Sequence, residues 1–392
     1  MLLYLQQIKY FILDWFLILS FSIILFGYGL YALPLPRRKK LSDTIPREWP
    51  AVSFIIPAYN EQDFLQDKIN NTLSCDYPTD KLEIIIAADG SNDDSETIVG
   101  GFKVRYENNG SRKGKGAAMN RAAQYASHDI LIFSDANAML NKGAIKEIVL
   151  PLLSDEYAMS SGEKKVIKKS EAENASAGEG LYWKYESYLK KRDDEFHTLV
   201  AAVGELFAIK KENFTTIPEN VLLDDFFEAA SVLLQGKKIS YVPKALATEF
   251  GSLNFKEEIK RKIRIAAGGY QSMAMFKDLF NPIRDWKVCY LFIAHRVLRW
   301  TIIPLLYFLL PCYIIYQAVV SPNLVYITLA VASVAYFIAS LFGLFINIAN
   351  RKAPFFLNIP FYISLMNYCA LHGAFRYING IQSGAWEKVK RS

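Results

Sequence analysis

From Trp300 to Asn350 the chain carries no charged residue, and the run is dominated by aliphatic and aromatic side chains. A spanning helix needs about 20 apolar residues, so the stretch has room for two, with Ser321-Pro322-Asn323 as the turn between them. A third apolar run, Ala353 to Phe375, follows the basic pair Arg351 and Lys352. At the other end Trp15 to Pro36 is also uncharged and is followed by Arg37, Arg38, Lys39 and Lys40. A cleaved leader would carry its basic residues before the apolar run and a small-residue cleavage site behind it. The pattern therefore reads as a retained anchor with its basic flank in the cytoplasm.

Ile283 to Arg299 mixes Trp286, Tyr290 and Phe292 with Arg284, Lys287, Arg296 and Arg299, the make-up of a helix lying in the membrane interface. The expected organisation is an N-terminal transmembrane anchor over 1–36, a cytoplasmic domain over 37–282, an interfacial helix over 283–299, a membrane region of about three spans over 300–380, and a basic tail over 381–392. One span before the domain and three after it would put Lys388, Lys390 and Arg391 outside, against the positive-inside tendency. A re-entrant last segment would remove that conflict.

Of 392 residues, 52% are hydrophobic and 21% charged, which excludes a disordered chain. The net charge of +6, from 45 Lys and Arg against 39 Asp and Glu, is spread along the sequence. That distribution suits loops resting on an anionic leaflet, and no nucleic-acid partner is expected. Four widely spaced cysteines, Cys75, Cys289, Cys312 and Cys369, form neither a disulfide framework nor a CxxC metal site.

Between the apolar ends, strand-like runs alternate with polar turns and helical stretches. Val52 to Ile56 leads into Pro57-Ala58-Tyr59-Asn60-Glu61. Leu82 to Ala88 is ended by Asp89-Gly90-Ser91, and Asp129 to Phe133 by Ser134-Asp135-Ala136-Asn137. Strand, polar turn and helix in repetition is the sequence form of a parallel α/β sheet whose ligand crevice lies at the carboxyl ends of the strands. Glu61, Asp89 and Asp135 should line that crevice. Any one acidic turn is as readily a helix cap, but like charges gathered at one edge cost energy unless a cation or donors share the site. A divalent cation holding a nucleotide diphosphate would supply that compensation. Gly110-Ser111-Arg112-Lys113-Gly114-Lys115-Gly116, followed by a helix with Asn120, is a phosphate-facing loop by composition, although the P-loop spacing is absent.

These motifs, taken in order, resemble the family 2 glycosyltransferases, in particular the membrane-embedded branch that includes cellulose, hyaluronan and poly-N-acetylglucosamine synthases. Pro57, Asn60 and Glu61 resemble the opening nucleotide-binding turn, Asp89 the uridine-contacting turn, and Lys115 with Asn120 the Gly-Lys loop and helix. Asp135-Ala136-Asn137 stands where the family has its Asp-x-Asp metal and diphosphate motif. Asp224-Asp225 stands at the acidic pair whose second member is the base, and Gly204-Glu205 on the acceptor-side strand. The resemblance implies a GT-A fold (α/β, Rossmann-like, mostly parallel sheet) with one N-terminal and about three C-terminal transmembrane helices. It also implies an inverting transfer of a sugar from a nucleotide sugar, UDP being the expected nucleotide, with Mg or Mn held by Asp135 and Asn137.

Two departures qualify this. Asn137 replaces the second aspartate, leaving one carboxylate and an amide oxygen for the cation. Arg261-Lys262-Ile263-Arg264-Ile265 stands where processive synthases carry Gln-x-x-Arg-Trp, so Arg264 is kept for the diphosphate but the stacking tryptophan is Ile265. The expected acceptor is lipid-linked or a glycan at the bilayer, reached beside Gly204, Glu205, Arg261 and Arg264. The enzyme is expected at the inner membrane, multi-pass, with its catalytic domain in the cytoplasm. A processive synthase, or a non-catalytic nucleotide-sugar-binding membrane protein, are the alternatives.

Overall fold

The computed structural model describes residues 2–37, 45–167, 176–250, 255–349, 351 and 353–381. Arg38, Lys39, Lys40, Lys352 and the tail with Lys388, Lys390 and Arg391 lie outside the described residues.

The uncharged N-terminal run is not one helix. Helix α1 (Leu2–Gly27) stops where Gly29 takes a φ of 128°, and a short turn at Leu30–Ala32 carries Tyr31 and Ala32 into the interior with no exposure. The turn can be buried because its carbonyls find donors. Tyr185 Oη donates to Tyr28 O (2.9 Å), Tyr290 Oη to Tyr31 O (3.0 Å), and Arg192 Nη2 to Ala32 O (3.1 Å) and Leu35 O (2.6 Å). The second half of the run is thus a plug in the domain that follows it.

The chain then alternates through β1 (Val52–Ala58), α2 (Gln62–Leu73), β2 (Leu82–Ala88), α3 (Ser95–Gly100), β3 (Arg105–Asn108), α4 (Lys115–Tyr125) and β4 (Ile130–Phe133). Next come β5 (Met139–Leu140), α5 (Ala144–Val149), β6 (Tyr157–Ile167), α6 (Ser176–Phe196), β7 (Phe207–Lys210), α7 (Asp224–Leu234), β8 (Lys238–Phe250) and α8 (Phe255–Met275). One eight-stranded sheet runs β3-β2-β1-β4-β7-β6-β8-β5. β1 is parallel to β2 and β4, and β2 to β3, as helical crossovers require. β7 then enters antiparallel to both β4 and β6, β5 is antiparallel to β8, and β6 is parallel to β8. The sheet is therefore parallel in its first half and mixed in its second, where a mostly parallel sheet was expected. Side chains alternate across it, Ile55, Ile85 and Phe133 entering one core, Phe54, Ile56 and Ile86 the other.

Beyond α8 follow α9 (Pro282–Leu291), a π-helical segment (Phe292–Val297), α10 (Leu298–Trp300), α11 (Ile302–Val320), α12 (Leu324–Ile348) and α13 (Phe355–Ile378). Helices α11 and α12 are long and apolar enough to cross a membrane. Helix α13 is as long but carries Asn358, Asn367, His372 and Arg376, and it packs on α8. At that crossing a Cβ on Gly373 would lie 2.5 Å from Ala266 Cβ, so the missing side chain lets the two helices approach closely. This contact ties the sheet-containing domain to the C-terminal helices and closes one side of the site described next.

Candidate active site

The carboxyl ends of β1, β2 and β4 carry three turns that fit together. Asp89 is fully buried and accepts N–H bonds from Lys113 and Gly114, both at 2.8 Å, so its two oxygens anchor the Gly-Lys loop. Gly90 has a φ of 70°, and a Cβ there would lie 2.7 Å from Ser111 C, which restricts the position to glycine. Asn60, at φ 53°, donates through its side chain to Asn92 Oδ1 (2.9 Å) and accepts from Asn92 N (2.9 Å). Pro57 is buried within β1, and Glu61 is the residue preceding α2. Asn120 uses both ends of its amide on Ile217, donating to the carbonyl (2.8 Å) and accepting from the N–H (2.9 Å), which pins α4 to the loop before α7.

Lys115 is the focus of the site. It opens α4, where the helix dipole disfavours a cation, and its Nζ sits 2.9 Å from Asp135 Oδ1 and 2.9 Å from Asp224 Oδ2. Those carboxylates hold the ammonium well above its ordinary range in spite of burial. Asp224 and Asp225 open α7, and a Cβ on Gly204 would lie 3.4 Å from Asp225 Oδ2 and 3.6 Å from Lys115 Nζ. Burial pushes the Asp225 carboxyl up to about 7, helped by the Asp224 and Glu205 charges and opposed by Lys115. Arg264, on α8, donates to Leu222 O (3.0 Å) just before the acidic pair. Lys115, Asp135, Gly204, Asp224 and Asp225 are thus brought together, whereas Asp89 and Asn120 support them from behind.

Glu205 pairs with Lys164, which also binds Glu249, and Arg261 is held by Glu249 (3.7 Å) and Glu258 (3.1 Å). Asn137 directs its amide nitrogen at Glu249 Oε2 (3.5 Å). Among the described residues no group of three or more His, Cys, Asp or Glu could hold a metal unaided. Asp135 Oδ1 and Asp224 Oδ2 are nevertheless buried with no hydrogen bond of good geometry, only the ion pair to Lys115. One carboxylate and one amide oxygen on a turn fit a divalent cation that arrives with a diphosphate and completes its shell from phosphate and water.

Sequence reasoning missed Lys68. It lies on the buried stripe of α2 with Leu65, Ile69 and Thr72, fully enclosed, and donates to Ser134 Oγ (2.7 Å) and to Ala138 O, bracketing the Asp135 turn from below. Burial pulls its ammonium down to about 7. A lysine at i+3 within an otherwise apolar helix stripe was the readable signal.

A cavity of about 680 Å³ runs from Asp225 and Glu205 toward α13. Trp183, Tyr185 and Trp300 line it, whereas Trp286 does not and is 57% exposed. Trp300 reaches this place because α8 has no side chain at Gly269, where a Cβ would lie 2.6 Å from the indole ring, and it packs on Phe226 at 5.7 Å between centroids.

Residues 53–217 match the family model described as Glycosyl transferase family 2. The poly-beta-1,6-N-acetyl-D-glucosamine synthase of Staphylococcus aureus (strain MSSA476) is 23% identical over 276 residues, 66% of this chain and 65% of that one. The synthase of the same description from Staphylococcus epidermidis is 22% identical over 319 residues, 78% of this chain and 74% of its relative. The match thus spans just under two thirds of the S. aureus protein. Among solved structures, a mannosyltransferase from Pyrobaculum calidifontis in complex with GDP-Man and Mn2+ has a TM-score of 0.70 at 19% identity, covering 94% of this chain and 100% of that one.

Proposed function

Because the chain carries a family 2 glycosyltransferase domain over residues 53–217, we propose that it is an inverting transferase moving a sugar from a nucleotide sugar, UDP-linked, to a membrane-associated acceptor. The observation that carries this reading is Asp225, a buried carboxyl pushed up to about 7 where the turn-lined crevice meets the cavity. A carboxylate poised near the working pH is suited to take a proton from an acceptor hydroxyl. As it does so, the acceptor oxygen forms its bond to the anomeric carbon and the bond to the diphosphate breaks, inverting that centre.

Lys115 and Arg264 supply positive charge near the leaving diphosphate, and Gly204 leaves room for the acceptor oxygen beside Asp225. Asp135 and Asn137 would hold a divalent cation, Mg or Mn, which when bound stabilises the departing negative charge. The P. calidifontis structure holds Mn2+ together with GDP-Man, which supports a divalent cation in this reading. Pro57, Asn60, Glu61 and Asp89 shape the nucleotide end, and Glu205 and Arg261 the acceptor side. The acceptor, lipid-linked or a glycan, reaches Asp225 through the cavity.

The test is nucleotide release by the purified full chain over a panel of nucleotide sugars, with Mg, Mn or chelator. Asp135→Ala should abolish stimulation by the cation. Release by that variant at the wild-type rate in chelator would refute the assignment.

The N-terminal anchor, α11, α12 and α13 form the membrane region in this reading, with the domain over 37–282 in the cytoplasm and 283–299 at its surface. Single cysteines at positions 110 and 322 decide the topology, and labelling of 110 but not 322 in intact cells would invert it. A processive synthase is the second reading, favoured by Trp183 and Trp300 on the cavity wall, since aromatic faces tolerate a sliding glycan. Sizing the products separates the two.

A further inference from the structure

The cavity wall is charged in a patterned way. Among the described residues six basic ones line it, Lys164, Lys190, Arg261, Lys262, Arg296 and Arg299, against three acids, Glu186, Glu205 and Asp225. Several of the balancing carboxylates are not part of the lining. Glu163 holds Lys190 at 2.6 Å, and Glu258 holds Lys262 at 2.9 Å. Glu249 and Glu258 hold Arg261, and Glu249 also holds Lys164. Lys190, Arg261 and Lys262 are therefore held from outside the lining, whereas Arg296 and Arg299 share the wall acid Glu186 and Lys164 also meets the wall acid Glu205, so the lining itself carries more cations than acids.

The π-helical segment sets His295 and Arg296 on the wall, with Arg299 following in α10. Such segments recur at functional sites. His295 lies between Asp193 and Glu186 (3.2 Å), and Glu186 is also the partner of Arg299 and, at 3.8 Å, of Arg296. Arg296 Nε is buried and makes no hydrogen bond. Helix α13, which packs against α10, adds Ile359, Ile363, Met366 and Ala370 to the lining together with Tyr362 and Asn367, a largely apolar strip.

Resting on the transferase reading above, we propose that the cavity binds an anionic amphiphile, its acceptor being a lipid-linked molecule whose phosphate sits on Arg296 and Arg299 and whose chain lies along α13. Guanidinium forks suit phosphate oxygens, and a charged group next to an apolar strip matches a ligand with both parts. A neutral glycan, the other expected acceptor, would bring no negative charge to this excess of cations on the wall. Arg261 and Lys262, the cations singled out from sequence, are the more fully compensated by their own acids.

The experiment is direct binding to the full chain in neutral phosphatidylcholine nanodiscs, with dodecyl phosphate and dodecyl glucoside as probes. Dodecyl phosphate should bind at least about 10-fold more tightly, and its affinity should fall as salt is raised. Arg296→Gln should remove most of that preference and Arg296→Lys restore part of it, with glucoside binding unchanged. Equal binding of the two probes by the wild type would overturn the proposal without recourse to any variant. Loss of dodecyl phosphate binding in phosphatidylglycerol nanodiscs would identify the ligand as a bilayer headgroup and overturn the acceptor assignment. Nucleotide release measured in parallel keeps the two readings apart: no release with retained phosphate selectivity would sink the transferase reading and leave the anion site standing.

Discussion

The acidic pair at the start of α7 makes the sharpest claim about rate against pH. Asp225 is pushed from 3.8 up to about 7 first by burial and then by the Asp224 charge, with Lys115 opposing. That difference corresponds to about 4 kcal/mol favouring the protonated form. Since the base must be ionised, kcat/KM for the donor, which reports on the free enzyme, should rise about tenfold per pH unit below pH 7 and level off above it. Two substitutions should move the inflection in opposite directions. Asp224→Asn removes a negative neighbour and shifts it to lower pH, though not to 3.8, because burial remains the larger cause. Lys115→Met removes the opposing cation and shifts it to higher pH. Asp225→Asn should erase the dependence and cost roughly 10²-fold or more in turnover. The assay is initial-rate nucleotide release from pH 5.5 to 9 in buffers of constant ionic strength. A wild-type profile flat across that range, or an inflection unmoved by both neighbouring substitutions, would refute the base assignment.

Two further outcomes follow from buried groups. Lys68→Met leaves the Ala138 carbonyl and Ser134 hydroxyl without their shared donor, at about 1–3 kcal/mol, so the donor KM should rise several-fold with a smaller change in kcat. An unchanged KM would show that the Asp135 turn holds itself. Glu228 is pushed from 4.5 up to about 8, first by burial. Its folded form binds the proton more tightly, so its contribution to stability is full below 4.5 and is lost as pH rises through about 8. Glu228→Gln should therefore flatten the fall in Tm between pH 5 and pH 9, a difference of up to about 5 kcal/mol. A parallel fall in both proteins would contradict this.

The parts of this protein that could be read from sequence are those whose cause is local. The runs Val52 to Ile56 and Leu82 to Ala88 are apolar apart from Ser53 and Glu83 because both faces of those strands are largely buried, and turns must follow where such runs stop. Asp135 could be placed for the same reason, whereas the Asp224-Asp225 pair at the start of α7 was marked by the family resemblance. What could not be read was set by partners distant in sequence. Trp15 to Pro36 looks like one span because its uncharged residues give no sign that Arg192, Tyr185 and Tyr290 will take up the backbone carbonyls after Gly27.

Asp89 illustrates the difference in kind. The sequence marks an acid after a strand, but whether that acid faces a ligand or the loop of Lys113 and Gly114 depends on a chain segment 24 residues away. The same holds for the aromatic face missing at Ile265. Ile265 lines the cavity without an aromatic ring, and the glycine at 269 admits Trp300 from a later helix to the same cavity. A motif fixes which chemistry a turn can offer. Long-range packing then decides which of its groups are spent on the fold, and here Asp89 and Asn120 are spent on holding their loops so that Lys115, Asp135, Asp224 and Asp225 meet in one place.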